Sequence, residues 1–170
     1  MQDKFNPIAS VPPIVAERLG RELLQALDRN NLALIDFPRA LELINAGADI
    51  TLQNQYQRTA LHLAASAGNL EISTALVERG APLNGKNNHG HTPLCVAVIY
   101  GHAAIAELLL KAGAIPDGGN NYGETPLARA RYSHNTRIAA MLEQAMEEWR
   151  DQGLPLKSDV TVSKPLTLKR

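Results

Sequence analysis

Residues 91–114 read HTPLCVAVIYGHAAIAELLLKAGA. Thirty-three positions earlier, residues 58–81 read RTALHLAASAGNLEISTALVERGA, and thirty-three later, residues 124–147 read ETPLARARYSHNTRIAAMLEQAME. Thr59, Thr92 and Thr125 keep this interval, as do Leu61, Leu94 and Leu127. So do Ile72, Ile105 and Ile138, the column Leu43, Leu76, Leu109 and Leu142, and the glycines Gly47, Gly80 and Gly113. So many columns in one register mark an internal repeat, and a repeat of this period means stacked supersecondary units.

Each unit is legible locally. Thr92 is a helix N-cap, since its hydroxyl can accept from a first-turn amide, and Pro93 follows where a missing N–H costs nothing. Leu94, Ala97 and Val98 recur at helical spacing, and Gly101 ends this short helix. The pattern predicts a second helix from about Ala103 to Ala112, closed by Gly113 in the left-handed conformation. The turn-rich stretch IPDGGNNYG leads to the next Thr-Pro-Leu. One unit is therefore two antiparallel helices and an extended turn. A lone unit cannot bury its apolar face, so Ile72, Ile105 and Ile138 are expected to line up along a common spine.

These residues resemble an ankyrin repeat. The likeness is strongest from about Asp49 to Leu142, carried by Thr59/Leu61/His62/Ala64/Ala65, Thr92/Pro93/Leu94, Thr125/Pro126/Leu127 and the Gly-Ala pairs at 47–48, 80–81 and 113–114. It implies an all-α repeat solenoid, an ankyrin-type stack of four helix pairs with short β-hairpin or turn fingers and atypical capping units at both ends. In the amino-terminal unit Ala26 best matches Ala64, with an insertion around LALIDFP broken at Pro38. In the last unit Met146 stands where glycine is expected, and the second helix should run on through EQAMEEWR. The expected organisation is a leader at 1–13, a repeat domain at 14–150 and a tail at 151–170. The units fall at about 14–52, 53–86, 87–119 and 120–150.

Composition excludes several function classes. Seventeen basic and seventeen acidic residues leave no formal net charge, which argues against nucleic acid or an anionic membrane as partner. A single cysteine, Cys95, fits a reducing compartment. The amino terminus has no signal-peptide core and no apolar run is long enough to span a bilayer, so the expected location is cytoplasmic.

Function is expected where the units differ. In the resemblance, partners are bound by the finger tips and the exposed side of the first helices. Carried over, the tips are Gln55 to Arg58, Asn88 to His91 and Asn121 to Glu124, and the helix positions are Ser66-Ala67, Ile99-Tyr100 and Tyr132-Ser133. All four tyrosines fall here. Tyrosine offers a large rigid body with a polar tip, and Arg and Tyr are common hot-spot residues. The expected partner-binding set is Tyr56, Arg58, His89, His91, Ile99, Tyr100, Tyr122, Glu124 and Tyr132. The bland alternative is that the tyrosines merely cover neighbouring units. Gln57 stands where the other tips have Gly90 and Gly123, so a left-handed backbone there would be strained.

Chemistry fares worse. His89, His91 and Cys95 would be three zinc ligands without a fourth. His62 sits where the resemblance implies an imidazole bridging loop groups, and His102 and His134 fall at packing corners. Ser66 and His62 lie one helical turn apart, with no carboxylate placed to orient the histidine. Residues 118–120 form a turn lacking phosphate-loop context. Glu143, Glu147 and Glu148 read as a solvated helix face. No catalytic residue, metal or cofactor is expected. The reading is a non-catalytic module that is monomeric when free and binds a partner protein as an adaptor or inhibitor. The competing readings are a metal protein or small enzyme using His89, His91 and Cys95, or a spacer whose termini make the contacts. The tail, with Pro155 and Pro165, reads as a disordered terminus, the sharper alternative being strand addition to a partner or folding back along the groove.

Overall fold

The computed structural model describes residues 11–28 and 35–156. Eight helices follow one another: α1 (Pro13–Leu27), α2 (Phe37–Asn45), α3 (Ala60–Ala67), α4 (Leu70–Glu78), α5 (Pro93–Ile99), α6 (Ala103–Lys111), α7 (Pro126–Tyr132) and α8 (Thr136–Asp151). They pair as α1–α2, α3–α4, α5–α6 and α7–α8. Each first helix also packs on the first helix of the next unit, and each second helix on the next second helix. The result is two parallel rows of helices. No strand is present among the described residues, so the fingers between units are turns, not two-stranded ladders.

The local code works as its chemistry dictates. Thr92 and Thr125 accept from the amides of Cys95 (3.3 Å) and Ala128 (3.2 Å), with Pro93 and Pro126 opening the helices. Asn69 and Asn135 cap α4 and α8 by accepting from Ile72 and Ile138. The corner between the two helices of a unit needs a left-handed residue. Gly68 and Gly101 supply it at φ 74° and 75°, and His134 adopts it at φ 56°.

The spine forms as the repeat requires. Ile72, Ile105 and Ile138 are each at most 1 % exposed and belong to one buried cluster with Leu43, Leu76, Leu109 and Leu142. Burying a side chain of this size contributes about 1.5–3 kcal/mol, and the period places one such residue in every second helix from α4 onward.

The ends differ. In the register that matches Ala26 to Ala64, the place of a finger falls at residues 16–20, which are helical in α1. The first unit therefore has no finger. Pro38 does not break a helix; it lies in the first turn of α2, whose N-cap Asp36 accepts from Arg39 (2.9 Å). Residues 32–34 of the expected insertion LALIDFP lie outside the described residues, as do residues 1–10 of the leader and 157–170 of the tail. At the other end α8 runs through Asp151, and after its closing turn Leu156 is fully buried. None of the helices among the described residues is long and apolar enough to cross a membrane.

Candidate functional site

Three asparagines a repeat apart build the fingers. The side-chain oxygens of Asn54, Asn87 and Asn120 each accept two backbone amides, those of the second and fourth residues on, at 2.9–3.0 Å. Each backbone amide also donates to the carbonyl four residues on: Asn54 to Arg58, Asn87 to His91 and Asn120 to Glu124, all at 3.0 Å. The chain then turns through a left-handed fourth residue: Gln57 (φ 57°), Gly90 (φ 77°) and Gly123 (φ 78°). A β-carbon on Gly90 would lie 2.2 Å from the Asn121 side-chain oxygen, so glycine is required there for space as well as for φ. Neighbouring fingers are zipped by Asn88 N–H to the Tyr56 carbonyl (3.2 Å) and Asn121 N–H to the His89 carbonyl (3.1 Å). Reading the tips from Gln55, Asn88 and Asn121 leaves out the asparagine that organises each. The thirty-three-residue spacing alone identifies that column.

Where fingers meet first helices, a cleft of about 200 Å³ opens. Arg58, His89, His91, Ile99 and Tyr100 line it together with His62, Ser66, Asn87 and Val96. Five of the nine expected residues therefore converge. A small adjoining hollow is lined by His91, Ile99, Glu124 and Arg129. Arg129 pairs with Glu124 at 3.5 Å and lies 6.0 Å from the centre of the Tyr132 ring. Tyr122 and Tyr132 are 79 % and 78 % exposed and line neither cavity. Tyr56 is half-buried under the Arg58 guanidinium, 5.5 Å from its ring centre. Tyr100 is 53 % exposed and stacks on His102, with ring centres 6.2 Å apart.

The histidines are held in place by hydrogen bonds. His62 Nδ1 accepts from the Thr59 amide (3.2 Å), which leaves Nε2–H to donate to the His91 carbonyl (3.0 Å). Burial, only partly offset by that carbonyl, pushes its pKa down to about 4. This ring ties the start of α3 to the next finger. In the same column Cys95 donates from Sγ to the Gly118 carbonyl (3.1 Å), and burial pushes its thiol pKa up. His91 Nε2 accepts from Asn120 Nδ2 (3.0 Å), and its ring stacks on His89 with centres 6.1 Å apart. The His91 pKa lies below the ordinary value through burial first, then through the charges of His89, Arg129 and Arg58; Glu124 opposes them. Two of the three zinc ligands considered from the sequence are engaged internally: Cys95 donates to a backbone carbonyl and His91 accepts from an asparagine amide. Among the described residues no group of three or more metal-ligating side chains is assembled.

The arrangement defines a class: a helix-pair solenoid with one edge of stacked fingers and a polar-rimmed cleft at the finger–helix corner. A family model for ankyrin repeats, in three copies, matches residues 31–119, just over half of the chain. The chain belongs to the ankyrin-repeat family. The match stops before α7 and α8, yet these carry the same Thr-Pro cap, left-handed corner and spine isoleucine, and complete a fourth unit. No curated protein matches the chain at a significant level. Ankyrin repeats are generally protein–protein interaction modules, typically without catalytic activity.

Proposed function

We propose that this chain is a non-catalytic, monomeric adaptor or inhibitor in the cytoplasm that seats a partner protein in the cleft between its fingers and first helices. The observation that carries the reading is the convergence of Arg58, His89, His91, Ile99 and Tyr100 around one open cleft. Hot-spot residue types are there combined with an apolar floor and a half-exposed aromatic ring. Tyr122 and Tyr132, both largely exposed, extend the contact beyond the cleft, with the half-buried Tyr56 and Glu124 beside it on the fingers. A cleft built from rigid turns and helices binds with little ordering cost.

The test is quantitative capture of the partner from the cells that make this protein. Replacing Tyr100 and Tyr122 together by alanine should weaken capture by about 2 kcal/mol or more with helicity unchanged. A chain lacking residues 1–10 and 157–170 should capture normally. Undiminished capture by the double variant would remove the cleft from consideration, and loss on trimming would assign the contact to the termini.

A further inference from the structure

The chain as a whole is neutral, but its charges are unevenly spread. Helices α3 and α5, which run beneath the cleft, carry no charged residue at all. The second helices carry both signs: Glu71, Glu78, Glu107 and Glu143 share them with Arg39, Lys111, Arg137 and Arg150. Around the cleft the cationic groups are Arg58 and, at its neighbouring hollow, Arg129, with the His89–His91 pair between them. The single carboxylate lining the two cavities, Glu124, is already committed to Arg129 at 3.5 Å and to the Asn120 amide at 3.2 Å. Among the described residues no carboxylate lies within ion-pair distance of Arg58; its guanidinium rests over Tyr56 instead. His91 feels both signs: beyond burial, His89, Arg129 and Arg58 oppose a further proton, while Glu124 favours one more strongly than either arginine opposes it. Beside these groups lies an apolar floor of Val96 and Ile99, with Tyr100 as a wall.

We infer that the cleft takes an acidic segment of the partner protein, an Asp or Glu carboxylate against Arg58 beside an apolar side chain seated on Ile99 and Tyr100. The inference rests on the cleft-binding reading above and names its occupant. Arginine matches a carboxylate in a planar, two-pronged geometry, and stacking on Tyr56 holds the guanidinium ready for it. An unpaired cation at a cleft rim steers an acidic partner toward the site and discriminates against a basic one. The chain's own tail is the wrong sign for this site: residues 157–170 contain four basic residues and one acidic. Nucleic acid is disfavoured because two arginines neutralise too few phosphates for useful affinity at ordinary salt.

A phage-displayed library of random dodecapeptides, selected on the immobilised full chain, tests this. Selected peptides should be enriched in Asp or Glu next to an apolar residue. Arg58→Gln, which keeps the backbone bonds of the finger, should weaken those peptides about tenfold. Lys111→Gln on α6, away from the cleft, should leave them unchanged, and Tyr100→Ala should abolish them. Circular dichroism of each variant should match the parent. Neutral or basic consensus peptides that still need Tyr100 would overturn the acidic occupant while leaving cleft binding intact. Acidic peptides indifferent to both Tyr100 and Arg58 would overturn both. A selection that yields nothing above the bare matrix would overturn the acidic occupant. So would displacement of the peptides by an equal concentration of a twelve-nucleotide single strand, which would reassign the surface to nucleic acid.

Discussion

Leu94 and Leu127 occupy the same place in the repeat and meet different surroundings. Leu94, in α5, is fully buried, whereas Leu127, in α7, is only partly so. The difference extends along the helices: Pro93 through Val98 are all buried in α5, but only Pro126 and Ala130 in α7. Helix α5 is flanked by α3 and α7, while among the described residues α7 has α5 on one side and no first helix on the other. The same local code thus yields an interior unit or a cap according to the number of neighbours. In a repeat stack stability is a sum of unit and interface terms, and the last unit is short of one interface.

The comparison can be broken at several depths. The largest effect is expected from Leu94→Ala, which should cost about 3–4 kcal/mol, while Leu127→Ala should cost about 1 kcal/mol. Urea unfolding followed by circular dichroism measures both, and equal costs would refute a distinction between interior and cap. Next comes the column His62, Cys95, Ala128, in which only the first member is an imidazole. The buried His62 has a folded pKa of about 4, below its ordinary value. The unfolded chain therefore binds the extra proton first as pH falls. The stabilisation is complete above about pH 6.5 and is lost progressively toward pH 4, amounting to about 3 kcal/mol at most. Unfolding free energies measured across that range should fall with acidity, and His62→Gln should flatten this part of the curve. An unchanged slope would show that the ring is not protected as the bonds to Thr59 and His91 require.

The smallest effect sharpens a second contrast, between glycine and its substitutes. Gln57 and His134 hold left-handed backbones where the equivalent units have Gly90 and Gly101. Gln57→Gly and His134→Gly should each raise stability by about 1 kcal/mol, the relief of a side chain's strain at positive φ less the entropy glycine adds to the unfolded chain. Thermal melts of the two variants would show it, and a loss at Gln57 would mean that its side chain supports the finger.

Much of the site's framework is legible before any coordinates. Threonine spacing locates the first helices, and the glycine at Gly90 and Gly123 foretells the turn that Gln57 is strained to copy. The asparagine column at 54, 87 and 120 is equally periodic, and its meaning follows from short polar side chains satisfying turn amides. The four tyrosines are less tractable. They share variable columns, yet Tyr100 lines the cleft, Tyr56 lies beneath Arg58, and Tyr122 and Tyr132 point largely to water. Side-chain direction depends on the neighbouring finger, which the local sequence does not contain. Arg129 escapes a sequence reading for the same reason: its partner Glu124 sits in the preceding finger, and only the bend of the chain into α7 brings the two together.

The order of helices, the caps, the corners and the period are written in the sequence, because each depends on contacts within a few residues or on a pattern that repeats. The inequality between interior and end units, the cleft at the finger–helix corner and the unpaired charge of Arg58 belong to the tertiary structure. They arise between residues a full repeat apart, where stacking decides what water can reach and which charges find partners.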